Sequence, residues 1–424
     1  MKYIYLARAV LIVALVCVLP MNARAQRDSA EIVIEWNELL RQNLPPTAAL
    51  AGVRYYAMLH VAMFDAVNVI EREYTPYRVR LNVPSGASTT AAAAQAAHDV
   101  LVALIPASQA TFDSALAGNL ADIPPGLARL GSNVGARVAR QVINWRANDG
   151  WSAMPPPYEL PLLPGLWQPT PPTLATATFT HLMNVTPFGV ITSTQYLPGP
   201  PPTLTSEQYT ADFNEVKELG SATSATRTEE QTLLARLFAG IGYGLSPFAL
   251  WSNVAREVVR SEELSLIDAA RLFAFVAVSM HDGLQTAHTA KFVYGLWRPV
   301  TAIQRAEEDL NPNTAPDGTW TSLIPNPPYP AYPGNMSCVS ASAARAVANV
   351  LGTDDFSFSI TWPGVAPNVD VTREYESFSQ LADDMARSRV YGGIHFEFDT
   401  RASQANCPRI ADFIFSRRMR PLDD

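Results

Sequence analysis

Apolar residues recur at three- and four-residue spacing along much of this chain, the period of a helix that buries one face. Tyr55, Ala57, Met58, Val61, Phe64 and Val69 follow it, and the pattern predicts helix from about Ala30 to Ile70. An Ala-rich stretch over 87–121 and a further one over Leu127–Asn148 read the same way. Helical patterning resumes near Ser206 and again over Thr228–Phe238. The best-marked helix starts behind the cap pair Ser265 and Asp268 and carries Leu266, Phe273, Ala277, Met280, Leu284 and Ala287 to about Lys291. His60, His98 and His281 sit among apolar neighbours on these helices and read as structural. No internal repeat and no alternating strand pattern of useful length interrupts the series, so the expected class is all-α.

The pattern fails over 151–206. Pro155, Pro156, Pro157, Pro161, Pro164, Pro169, Pro171, Pro172, Pro198 and Pro200 through Pro202 exclude long helices there. Trp167 and Phe179 keep the stretch apolar enough to pack, which predicts an ordered loop laid over the helices, as a lid or pocket wall. His181 lies in it with no partner identifiable from the sequence.

Composition adds three constraints. With 48% hydrophobic and 17% charged residues, the 424-residue chain can build a large core. A formal net charge of −8 argues against nucleic acid or an anionic membrane as partner. The start reads as a secretory signal peptide: Lys2 and Arg8, an apolar run from Ala9 to Leu19, then Ala23-Arg24-Ala25. Cleavage is expected after residue 25, leaving one helical domain over 26–424 in a secreted or periplasmic protein with no membrane span. Beyond that segment the only lysines are Lys217 and Lys291, and the only cysteines Cys338 and Cys407. A lysine inside a motif is therefore informative.

Three segments carry chemistry, all within an anion-site half at about 261–420. In the first, Lys291 is followed after six residues by Arg298-Pro299. Pro299 stops the helical path and puts Arg298 at a turn or a new helix start, so the two cations can converge on one anion. The second, Pro327 through Ser337, holds the chain extended on prolines and then opens a small-residue helix with free N–H groups and a positive dipole end. The third runs from Ser388-Arg389 through Gly392-Gly393 to His395 and Asp399. Here a planar cation suits an oxyanion, a histidine offers a ring nitrogen, and an aspartate four residues on can fix its tautomer.

In this order the segments resemble the superfamily that joins vanadium-dependent haloperoxidases with type 2 phosphatidic acid phosphatases and bacterial acid phosphatases. Trp167 through Pro172, Asp212 through Lys217 and Phe64 through Asn68 extend the resemblance to the bacterial haloperoxidase-like branch over most of the chain. It implies a pair of helical bundles with the anion site in one of them. It implies that Lys291, Arg298, Ser388, Arg389 and the Asn335 amide bind vanadate or phosphate. His395 would be the axial vanadate ligand or the phosphatase nucleophile, and Asp399 would orient it. The implied cofactor is vanadate, with neither haem nor nucleotide, and the implied substrates are peroxide and halide. Phosphate-ester hydrolysis through His395 and a non-catalytic oxyanion-binding relative are the alternatives.

One motif departs from the family. Its proline, serine, glycine, histidine stand here as Pro333, Gly334, Asn335 and Met336. The anion-binding hydroxyl is gone, and methionine carries no proton where the family has its acid/base histidine. His288, three residues before Lys291, stands where the chloroperoxidases have a tryptophan, so the proton carrier is either moved there or lost. Tyr329 stands where the family has an aromatic or histidine near the halide. Cys338 and Cys407 flank the same expected pocket, which leaves a disulfide between them open in an oxidising compartment.

Overall fold

The computed structural model describes residues 21–83, 85–239, 246–364 and 369–422. Residues 1–20 of the expected signal peptide lie outside these. Five helices form the first half: α1 (Met21–Asn43), α2 (Gly52–Glu71), α3 (Thr89–Leu104), α4 (Gln109–Leu120) and α5 (Pro125–Arg146). The single helical pattern expected over 30–70 is broken at Pro45-Pro46, and the one over 87–121 is broken near Pro106, where a helix loses both a donor and its path. Gly131 and Gly135 let α5 lie directly on α3. A Cβ at either would come within 2.3 Å of a backbone oxygen, of Ser88 or Ala92.

The second half holds α6 (Glu207–Leu219), α7 (Glu229–Leu237), α8 (Pro247–Ser261), α9 (Leu266–Tyr294), α10 (Pro299–Gln304) and α11 (Asn335–Leu351). A hairpin follows, β1 (Asp355–Trp362) paired antiparallel with β2 (Val371–Ser377), and then α12 (Phe378–Tyr391), α13 (Glu397–Asn406) and α14 (Pro408–Arg417). The fold is thus mainly helical, as expected. The hairpin corrects the reading that no strand pattern exists: Phe358, Ile360 and Trp362 are buried while the residues between them face solvent. Helix α8 was also not expected. It starts on a Ser246 cap, whose side chain accepts from the Ala249 amide, with Pro247 in first position.

Helix α9 is the axis of the molecule. Nearly every residue from Leu266 to Phe292 is buried, and the Ser265 cap accepts from the Asp268 amide as its sequence implies. Its polar residues bind the Pro-rich segment in place. Asp282 accepts the amides of Phe188, Gly189 and Val190 at 2.6–2.9 Å, and Gln285 donates to Leu182 O at 3.0 Å. His281 packs beside Asp282, and His60 is buried against Asn37, both structural as expected. The main core, which α9 anchors, draws on residues between Ala30 and Met419, and a second apolar cluster that includes Trp297, Tyr332, Phe396 and Phe398 packs beside the site. Among the described residues no helix is long and apolar enough to cross a membrane.

Candidate active site

The site forms where α9 ends. Gly295 closes that helix in the left-handed conformation (φ 60°), and the chain then re-enters a helix at Pro299, leaving Arg298 at its cap. Lys291 and Arg298 are both fully buried. Opposite them runs the proline-rich loop 327–333, whose prolines have no N–H to pair their neighbours' carbonyls. Those carbonyls take the cations instead. Lys291 Nζ donates to Pro330 O (3.0 Å), Ala331 O (2.7 Å) and Pro333 O (2.6 Å), and Arg298 Nε to Tyr329 O (2.8 Å).

The third motif comes in from α12. Arg389 lies in its last turn, with Nη1 donating to Phe238 O at 2.6 Å. The turn after it needs glycine: Gly393 has φ 78°, and a Cβ there would lie 2.2 Å from Gly220 O. His395 follows, and Asp399 sits in the first turn of α13, with Asp212 accepting the Phe398 amide at 2.6 Å to fix that helix start.

Arg298 Nη1 donates to Ile394 O (2.7 Å) and to His395 Nε2 (3.2 Å). Because a guanidinium only donates, Nε2 must accept, so the ring proton is on Nδ1 and goes to Asp399 Oδ2 at 2.8 Å. Burial, then Arg298, Lys291 and Arg389, hold the His395 imidazole well below its usual range, in the neutral form. Burial pushes Asp399 up to about 7, against the pull of Lys291 and Arg298. Burial likewise lowers Lys291 well below the usual ammonium range and brings Arg298 and Arg389 each down to about 10.

Four of the expected residues therefore meet: Arg298, His395 and Asp399 by direct bonds, and Arg389 by its electrostatic effect on Arg298 and His395. Lys291 stands beside them with all three donors on loop carbonyls, so it contributes charge and holds the loop. Ser388 is buried next to Arg389, but its hydroxyl donates to Met385 O at 2.7 Å within its own helix and is not turned to the site. Asn335 opens α11, and its side chain donates to the Tyr329 hydroxyl at 3.2 Å. His288 is buried with Nδ1 bonded to Leu284 O at 3.0 Å, its ring meets Tyr329 (5.0 Å between centroids), and its Nε2 has no partner among the described residues. Burial, then Lys291, lowers its pKa to about 3. Phe179 of the Pro-rich segment lies against the same ring at 6.0 Å, which makes that segment a wall of the site.

Two residues were not anticipated in the roles the structure gives them. Tyr329 contributes its carbonyl to Arg298 and its ring to the surroundings of Lys291 and Arg298, at 5.4 and 5.1 Å. Ser337 is fully buried in the first turn of α11 with no partner for its hydroxyl. Its spacing of three from Gly334 was the only sequence signal for it.

The donor set fits a tetrahedral oxyanion. Three buried cations face one buried carboxylate, an excess of positive charge that is costly without an anion. Among the described residues Arg298 Nη2, Arg389 Nε and Ser337 Oγ are buried without partners. The first amides of α11 add a positive helix end. Among the described residues no group of three or more His, Cys, Asp or Glu could hold a metal cation.

Residues 271–424 match the family model described as the VCPO second helical-bundle domain. Over 273 residues the chain is 23% identical to vanadium chloroperoxidase from Curvularia inaequalis, covering 50% of this chain and 44% of that protein, less than half its length. The fold is similar to that of the first bacterial vanadium-dependent iodoperoxidase, with a TM-score of 0.77 and 23% identity over 95% of this chain and 98% of that one. It is also similar to a holo-type bacterial vanadium-dependent chloroperoxidase, with a TM-score of 0.70 and 16% identity over 93% and 96% of the two chains.

Proposed function

We propose that this chain, vanadium haloperoxidase-like by its second bundle and its fold, binds vanadate or phosphate and uses vanadate for peroxide-dependent halide oxidation. The observation that carries the reading is the neutral His395 ring, its Nδ1–H on Asp399 and its Nε2 beside the unpartnered arm of Arg298. His395 Nε2 would be the nitrogen that holds vanadate. The 3.2 Å contact from Arg298 is that arginine's longest bond and the one a ligand on Nε2 replaces. Arg298 Nη2, Arg389 Nε and the amides at the start of α11, Asn335 included, would hold the anion oxygens. Vanadate, when bound, supplies the activation of peroxide toward halide.

The residues do the rest. Asp399 keeps the ring tautomer, and Lys291 holds the 330–333 carbonyls in place. Fixed positive charge in a dry site is worth far more than in water. His288 is a poor proton donor at neutral pH, because its one ring proton is on Nδ1, committed to Leu284 O. Met336 cannot carry a proton either. General acid/base help contributes ~10²–10⁴ in rate, so turnover is reduced relative to a site that keeps the motif histidine. Met336 is the specific observation favouring the second reading, an oxyanion-binding protein with little or no catalysis.

A vanadate titration of the full chain tests the proposal, followed by halogenation and phosphatase assays on the same sample. Saturable binding with halide oxidation supports it. Binding without turnover leaves the second reading, phosphatase activity inhibited by vanadate redirects it to ester hydrolysis, and no anion binding overturns both readings.

A further inference from the structure

We propose that the Ser337 hydroxyl is a direct donor to the bound oxyanion, at the place left open by the missing side chain of Gly334. The inference rests on the oxyanion reading above and deepens it. Ser337 is the third residue of a 17-residue helix and is completely buried. Its hydroxyl has no partner among the described residues. Four other serines buried as deeply are paired: Ser340 accepts from Trp251 Nε1, Ser342 donates to Cys407 O, Ser388 to Met385 O and Ser403 to Gly334 O, while Ser279, in the middle of α9, shares with Ser337 an unpaired hydroxyl but does not stand at a helix start. A buried hydroxyl left unpaired is costly, and a ligand that completes it is a physical reason for its presence.

Its position points to the anion. A Cβ built on Gly334 comes 3.0 Å from Ser337 Oγ and 3.4 Å from Ser337 Cβ, so the hydroxyl folds back over the helix start. There it stands beside the amides of Asn335, Met336 and Ser337, which a helix leaves without internal acceptors. On the same side Gly334 N donates to Asp399 O at 2.9 Å, and the Asp399 carboxylate takes the His395 proton. Hydroxyl, helix amides and His395 thus share one corner. Residues 334 and 337 are neighbours on one helix face, so glycine at 334 is what gives the Ser337 hydroxyl room.

Calorimetric titration with inorganic phosphate and with vanadate, on the full chain, tests this together with thermal melting of the anion-free protein. Ser337→Ala is expected to weaken both anions about 10- to 100-fold, the loss of a hydrogen bond to a charged group. Its anion-free melting temperature should be no lower than wild type, since the hydroxyl bonds nothing in the protein. Adding Gly334→Ser to Ser337→Ala is expected to restore most of the affinity. Ser337→Ala binding within twofold of wild type overturns the assignment. So does a lower anion-free melting temperature with no restoration in the double variant, the mark of a structural role. Wild-type protein that binds neither anion removes the underlying oxyanion reading as well, and so is distinguishable from failure of the Ser337 assignment alone.

Discussion

His395 and Asp399, four residues apart across a helix start, share one hydrogen bond at 2.8 Å that decides which ring nitrogen is open to a ligand. Arg298 can only donate to the other nitrogen, so the pair has one consistent arrangement of protons. Asp399→Asn breaks that arrangement. Anion affinity measured by calorimetry is expected to fall about 10- to 100-fold, the usual cost of disturbing a residue that orients a ligand. An unchanged affinity would show that Asp399 has no part in holding the ring.

Arg389 gives a sharper test of the charge excess. Among the described residues its hydrogen bond is to Phe238 O, and its Nε is buried without a partner. Arg389→Met is expected to abolish phosphate binding yet raise the stability of the anion-free protein, by about 1–4 kcal/mol if it behaves like other buried charges replaced by apolar groups. Melting with and without phosphate reads both effects. Wild type should gain melting temperature on adding phosphate, and the variant should not.

Met336→His places a titratable group at the start of α11. Halide oxidation is expected to rise at least tenfold, toward the ~10²–10⁴ that general acid/base groups contribute, and its pH profile should gain a limb. His288→Phe should leave both turnover and anion affinity nearly unchanged, because that ring is neutral, with a pKa near 3, and bonded to Leu284 O. A His288→Phe variant with lost turnover and intact anion binding would revive the moved-proton-carrier idea.

The disulfide left open by the sequence is formed, with Cα atoms 5.3 Å apart, between Cys338 and Cys407, 69 residues on. It ties the first turn of α11 to the far end of α13, whose first turn holds Asp399. Cys338→Ala/Cys407→Ala is expected to cost about 2–4 kcal/mol of stability, read by denaturant unfolding, and to weaken anion binding along with it.

The remaining test concerns pH, away from the site. His98 links α3 to α4, with Nδ1 on Asp99 at 2.8 Å and Nε2 on Asp113 at 2.7 Å. Those two hydrogen bonds raise its pKa above the ordinary imidazole value, against partial burial. A raised folded-state pKa stabilises fully below the unfolded value, near pH 6.5, and the gain is lost as pH rises through the folded pKa. His98→Gln is therefore expected to cost on the order of 0.5 kcal/mol at pH 5.5 and close to nothing at pH 9. Equal cost at both pH values would remove the ion-pair explanation.

What could be read from the sequence was what depends on neighbours along the chain. The Ser265 cap, the helix end near Lys291, Arg298 before Pro299 and the spacing of His395 and Asp399 are local, and the structure holds each of them to within a turn. The hairpin was hidden because its alternation covers only eight and seven residues and one face is polar to solvent. Helix α8 was hidden because its apolar stripe, Leu250, Val254 and Val258, is short and its cap pair unremarked. The resemblance implied that Ser388 and Lys291 bind the anion. The bonds that Lys291 makes to carbonyls 39 to 42 residues away are ones no local pattern encodes.

The carbonyl grip on Lys291 gives the protein a chemical probe of its own interior. Lys291 is sealed from solvent, while Lys217, half-exposed, is within reach of it. An amine-reactive reagent should acylate Lys217 within minutes and reach Lys291 only when the 330–333 loop lifts away. The ratio of the two modified peptides in a mass spectrum then becomes a clock for the opening of the site.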